Sequence, residues 1–396
     1  MRTKHIPVLF IFLLLSSSVF AQAKQSATPQ TSDGTLRLPT LPTASDGTLR
    51  LPVPAGFSIQ YKPGWKLLTV KSPWPGAVKA YSYALYPRGS IKPTGLAVDG
   101  YIATPVRSVV SFSTTYIPPI ESIGELAALK GIDSADYVYS PQVRKLFAEG
   151  KIVETTKNFM PDIERLIALK TDAIFTFGMG NEWDSHPKME EAGLPVVMLG
   201  DWNEADPIAR AEWALFIAAF FDKETLAFER LSDTIAEYER LKTLAKNAKD
   251  RPLVLDNGPF NGSWSVSGGS SYMARMLADA GARYLWADAK GTGGINLSVE
   301  AVFEKALAAK IWLNPSFMTM TLGEVRAMDP RFASIPALVK GEVWNNNLRT
   351  SPLGGSDYFE SGATQPQAVL ADLIAIFHPE LLPGHVFTYY RKLGEK

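Results

Sequence analysis

PDIERLIALKTDAIFTFG (161–178) and LSVEAVFEKALAAKIWLNP (297–315) each run from a polar start, through a glutamate and an amphipathic helix, into an apolar strand. Pro161 is predicted at a first helical position and Ser298 as an N-cap. Apolar residues then recur at intervals of three and four: Ile163, Leu166 and Ile167 in one copy, Val299, Val302, Phe303 and Ala306 in the other. This spacing gives each helix one buried face. Because the unit occurs twice, two similar α/β lobes are expected, each presenting an exposed acid, Glu164 and Glu300.

The same alternation extends outward from both stretches. VRSVVSF (106–112), AIFTFG (173–178) and PVVMLGDW (195–202) read as strands of a first lobe, with PPIESIGELAALKGI (118–132) as a helix. RPLVLDNG (251–258) opens the second lobe, followed by a helix-to-strand unit at 270–285, a turn and strand at 337–346 and a closing helix at 365–382. Between the lobes lies DPIARAEWALFIAAFF (206–221), which at 1.5 Å per residue spans about 24 Å, enough to join them. Strands alternating with helices imply mainly parallel sheets flanked by helices. Ligands of such folds lie beyond the carboxyl ends of the strands. The expected fold is therefore α/β: two lobes (57–205 and 222–396), one long connecting helix (206–221), and a small N-terminal β extension (57–105).

At the start of the chain, Arg2 and Lys4 precede PVLFIFLLL (7–15) and the A-x-A site Ala21-Gln22-Ala23, which reads as a cleaved signal peptide (1–23). The octapeptide SDGTLRLP then occurs twice, at 32–39 and 45–52, so residues 24–56 are expected to form a disordered tether. The chain has no cysteine, which excludes disulfides, thiolate metal sites and lipid attachment through a cysteine. A periplasmic protein that is not a lipoprotein is expected. Forty basic and forty acidic residues balance, giving no signal for nucleic acid or an anionic membrane surface.

Catalytic patterns are missing from the sequence. His186, His378 and His385 lack metal-pair spacing, and no G-x-S-x-G, H-E-x-x-H or Walker pattern occurs. Neither a catalytic set nor a resident cofactor or metal is read. Aromatic residues give the stronger signal: Trp183, Trp202, Phe260, Trp264, Trp286, Trp344, Tyr358 and Phe359 fall in or beside the loops expected at the cleft, with Thr115 and Tyr116 in the Ser/Thr loop of the first lobe. Broad planar side chains suit a macrocyclic or catecholate ligand. Asp201, Asn261, Lys290, Asn345, Arg349 and Asp357 are the expected polar partners, and Arg349 is the one arginine in those loops.

PDIERLIALKTDAIF, GGSSYMARMLADAGARYLW, SVEAVFEKAL and DLIAIFHPELLPGH, in this order, resemble the periplasmic binding proteins that serve ABC importers of iron–siderophore, haem and cobalamin. The resemblance covers roughly residues 57–396, and the β segment 57–105 exceeds what it requires. It implies a monomeric binding protein, not an enzyme, with no stable membrane anchoring. The protein would capture a small metal chelate and dock onto the transmembrane subunits of an ABC permease. By position in the matching helices, Glu164 and Glu300 would meet arginines of that permease. An extracytoplasmic enzyme on the same scaffold is the alternative reading.

Overall fold

The computed structural model describes residues 41–158 and 160–395. The expected signal peptide and residues 24–40 of the expected tether lie outside this range. The first lobe is built on a five-stranded parallel sheet in the order Val196–Met198, Ala173–Thr176, Val109–Ser111, Leu129–Ile132, Val153–Glu154. Val109, Val110, Ile174, Phe175 and Val197 are all buried, as in a parallel sheet covered on both faces.

The second lobe repeats the plan with Arg283–Tyr284, Leu253–Asp256, Ile311–Leu313 and Val343–Asn345 in parallel, closed by the antiparallel strand Arg391–Lys392. A small antiparallel sheet of Pro259–Phe260, Ser263–Ser267 and Gly294–Ser298 follows Leu253–Asp256 in the chain. The apolar side chains fall into two cores, one per lobe.

Between the cores runs the helix Pro207–Ala219. Asp206 caps it, its Oδ1 accepting the N–H groups of Ile208 at 2.8 Å and Ala209 at 3.3 Å, and Pro207 occupies the first turn without losing a bond. Trp213, Phe216 and Phe220 join the first core and Ile208 the second, so the helix is anchored in both.

Two expectations need correction. Residues 118–132 are not one helix: the helix Ile117–Ser122 stops at Gly124, whose φ is +79°, and the chain re-enters the sheet as Leu129–Ile132. The left-handed conformation at Gly124 ends the helical path, and after a single 3-10 turn at Leu126–Ala128 the chain pairs beside Val109–Ser111. Residues 41–56 are not a free tether either. Leu49 is buried, its N–H donates to the Ile59 carbonyl at 2.8 Å, and the Tyr61 N–H donates to the Gly47 carbonyl at 2.9 Å. The second octapeptide copy pairs with an edge strand and inserts one leucine, which its polar composition conceals.

That edge belongs to a four-stranded sheet of Phe57–Lys62, Trp65–Val70, Tyr81–Pro87 and Gly100–Thr104. Phe57 packs on Trp213 and Phe216 with ring centroids at 4.9 and 5.5 Å, and Tyr83 Oη accepts the N–H of Met198 at 2.8 Å. The extension also grips the connecting helix. At one end Gly56 N–H donates to Glu204 at 2.6 Å, and in mid-helix Val53 N–H donates to Glu212 at 2.8 Å. At the other, Lys66 Nζ reaches the Ala219 carbonyl at 3.1 Å and Asp222 at 2.7 Å, where a cation suits the helix dipole.

Candidate functional site

Two joined cavities lie where the carboxyl ends of the second-lobe strands face the first lobe. One, of about 200 Å³, is floored by Asp256, Asn257, Asn314 and Asn346, each at or just beyond a strand end, and walled by Tyr358, Phe359 and Arg210. The other, of about 320 Å³, runs between Trp202, Asn203 and Glu204 of the first lobe and Ser271, Tyr272, Met273 and Thr292–Gly294 of the second. Ser267, Tyr272 and Met273 line both. A further hollow of about 200 Å³ opens at the strand ends of the first lobe, lined by Ser113, Asp133, Tyr137 and Phe177.

The floor is polar and deeply set. Asp256 is 1% exposed and accepts from Asn314 Nδ2 at 3.0 Å and from Ser267 Oγ at 3.2 Å. Burial outweighs these donors and pushes its carboxyl up to about 6. Among the described residues, Asn314 Oδ1, Tyr390 Oη and Arg210 Nε are buried without a hydrogen-bond partner. Arg210 and Asn314 line the first cavity, and two such atoms around it would be costly in a purely structural site. Arg210 lies over the Tyr272 ring at 5.2 Å and reaches Asp201 at 3.9 Å. Burial raises the Asp201 carboxyl against the pull of Arg210. Tyr116 is fully buried behind this pair, its hydroxyl held well above its usual pKa by burial and by Asp201.

The structure brings together only part of the set read from sequence. Trp202, Tyr358 and Phe359 line the cavities. Trp264 does not: it is fully buried, stacked on Trp312 at 5.5 Å and edge-on to Phe332. Trp286 is buried against Tyr284, and Trp344 packs on Phe387 at 5.0 Å. These three serve second-lobe packing because their strands and turns aim them inward. Trp183 and Phe260 are largely exposed at loop tips and line none of these cavities. Thr115 binds Ser113 Oγ at 2.9 Å. Asn345 donates to the Ser316 and Thr319 carbonyls, which makes it a loop fastener. Arg349 pairs with the buried Asp357 at 3.1 Å and donates to Tyr139 Oη at 3.2 Å. Asn261 sits at the Phe260 hairpin with φ +49°, and Lys290 is exposed.

Glu164 and Glu300 both lie exposed in the first turns of their helices, Ile163–Leu169 and Val299–Ala306. Asp162, not Pro161, begins the first of these, its Oδ1 accepting Arg165 N–H at 3.1 Å, whereas Ser298 caps the second as expected. Glu300 is engaged by Arg331 at 3.1 Å, and Arg331 in turn by Asp329 at 2.6 Å.

Arg210, Asp256, Tyr272 and Asn314 went unread in the sequence. Arg210 carried a signal: it is the one cation in the apolar connecting stretch 206–221. Asp256 carried another, as the charged last residue of the apolar strand LVLD.

The profile of the periplasmic binding protein family matches residues 109–345, from the first strand of the first lobe to the strand Val343–Asn345 of the second. The chain belongs to this family. Its members are solute-binding proteins that take small ligands and work with ABC permeases. The N-terminal sheet lies outside the matched range. An uncharacterized lipoprotein of Methanocaldococcus jannaschii is 28% identical over 304 residues, covering 74% of this chain and 70% of the relative. Among solved structures, a periplasmic haem-binding protein of Pseudomonas aeruginosa aligns at 20% identity and TM-score 0.53, covering 69% of this binding protein and 93% of that chain. The periplasmic vitamin B12-binding protein of Vibrio cholerae aligns at 13% and 0.52, covering 69% and 97%. At these identities the likeness is one of fold. Among the described residues, no helix is long and apolar enough to cross a membrane.

Proposed function

We propose that this protein captures an iron(III) chelate or a related metallated macrocycle between its lobes and delivers it to an ABC permease. The observation that carries the proposal is the mixed wall of the joined cavities. Trp202 from one lobe and Tyr272, Tyr358 and Phe359 from the other offer flat apolar surface, while Asn314 Oδ1 and Arg210 Nε offer unmatched polar atoms. Such a combination buries a large planar or globular complex and fixes its orientation. No histidine lines the cavities, so the wall favours a metal that arrives already chelated over a bare ion.

Capture would proceed without chemistry. Docking would use Glu164 and Glu300, one acid on each lobe, and the protein would work as a monomer in the periplasm. Although one relative is named a lipoprotein, this chain has no cysteine to carry a lipid, which supports a freely diffusing form. Mass spectrometry of what co-purifies from the native host tests the reading. A metal-bound organic ligand at near one-to-one stoichiometry is expected, and a protein that turns over its bound compound would favour the enzyme alternative.

A further inference from the structure

The charges of the cleft restrict what can enter it. Arg210 is the arginine in these walls and faces the buried Asp201 at 3.9 Å, whereas Arg349 lines none of these cavities and pairs with the buried Asp357 at 3.1 Å. Arg349 also donates to Tyr139 Oη and lies over that ring at 5.2 Å. The acids in the cavity walls are answered differently. Asp256 is met only by the neutral donors of Asn314 and Ser267. Glu204 is met by the Gly56 N–H and by Trp213 Nε1 at 2.8 Å. The hollow on the first lobe adds Asp133 and no cation among its walls. Lys290 and Asp288 are both exposed on a neighbouring loop and line none of these cavities. The uncompensated charge of the walls is therefore negative.

Resting on the capture reading above, we propose that the ligand is a metal complex without net negative charge and with an amide-rich periphery. Like charges repel strongly in a partly desolvated cleft. A polyanionic complex would face Asp256 and Glu204 with Arg210, itself shared with Asp201 at 3.9 Å, as the one cation in these walls. The unmatched atoms favour a neutral partner as well. Asn314 Oδ1 and the Asp256 carboxylate call for N–H or O–H donors, while Arg210 Nε calls for a carbonyl-type acceptor. Amides supply both. Two kinds of complex share this chemistry, a neutral ferric trihydroxamate built on a peptide and a corrinoid bearing amide arms.

The test titrates the whole protein at pH 7, by tryptophan quenching and calorimetry, with four probes. These are ferrichrome, cyanocobalamin, the triply anionic ferric enterobactin, and haemin with its two propionates. Ferrichrome or cyanocobalamin should bind at least about tenfold more tightly than either anionic probe, and which of the two binds identifies the source. An anionic probe binding as tightly as both neutral ones overturns the charge inference and leaves the capture reading standing. Binding of none overturns the capture reading, and this inference with it. Asp256→Asn keeps an acceptor for Ser267 and Asn314 while removing the charge, so it should narrow the neutral-to-anionic affinity ratio by about tenfold. With an unchanged melting temperature, an unchanged ratio would dismiss Asp256 as the discriminating group.

Discussion

The carboxylate of Glu360, on the second lobe, accepts the backbone N–H of Tyr139, on the first, at 2.7 Å. Its other oxygen accepts the N–H of Ser140 at 2.9 Å, and the side chain is 2% exposed. The lobes are thus tied by a second link remote in sequence from the connecting helix. A glutamine at position 360 keeps one acceptor and turns an N–H₂ toward a buried N–H. Glu360→Gln should therefore cost about 1–3 kcal/mol and speed amide exchange at 139–143 and 357–362, read by mass spectrometry. Unaltered exchange in both segments would mean that the link does not hold the lobes.

Stability should depend on pH through two buried glutamates. Burial pushes Glu360 up to about 7 and Glu212 up to about 8, against the pull of the N–H groups they accept. In the unfolded chain both would titrate near 4.5. Between these limits the folded state holds protons that the unfolded state has lost. The contribution is full below about 4.5 and is lost as pH rises through about 7 and then about 8. Melting temperatures followed across this range should show the decline, and Glu212→Gln should flatten its upper part.

Residues 41–56 should contribute measurably to stability. Burying one leucine is worth about 1.5–3 kcal/mol, so deleting the segment should lower the melting temperature by about 2–4 °C. A melting temperature within error of the intact chain would show that the pairing of Leu49 with Ile59 adds nothing.

Glu164 and Glu300 should matter for delivery and not for capture. Replacing both with arginine should abolish uptake in cells while ligand affinity stays within about twofold, since charge complementarity sets the register of docking. The Arg331 partner adds a finer expectation. Glu300 is held below its ordinary range by its own backbone N–H and by Arg331, so Arg331→Ala should leave uptake intact or raise it. Normal uptake by the doubly reversed protein would remove both acids from the interface.

The two-lobe plan was legible because its strands are short apolar runs and its helices carry one apolar stripe. Ser298 could be read as a cap from a single residue. The cleft was less legible, since a loop aromatic faces the core or the ligand according to backbone direction. Trp264 is the instructive exception. It alternates with Val266 along Ser263–Ser267, both buried while Ser265 is exposed, so the period of two already set it on an inward face. Nothing local could have placed Arg210 against Tyr272, because the two meet only when the second lobe folds back. The packing of the second octapeptide copy was hidden for the same reason: its partner strand starts only after a proline-containing link.

The grip of the N-terminal strands on both ends of the connecting helix bears on where this protein can be cut. The family profile begins at residue 109, which by itself would mark a seam there. Energetically no such seam exists. A fragment starting at 109 would bare Trp213 and Phe216 where Phe57 had covered them and leave the buried Glu212 without its N–H donor. The cooperative unit is thus longer than the span the family profile matches, and the strands before residue 109 brace the helix that joins the lobes.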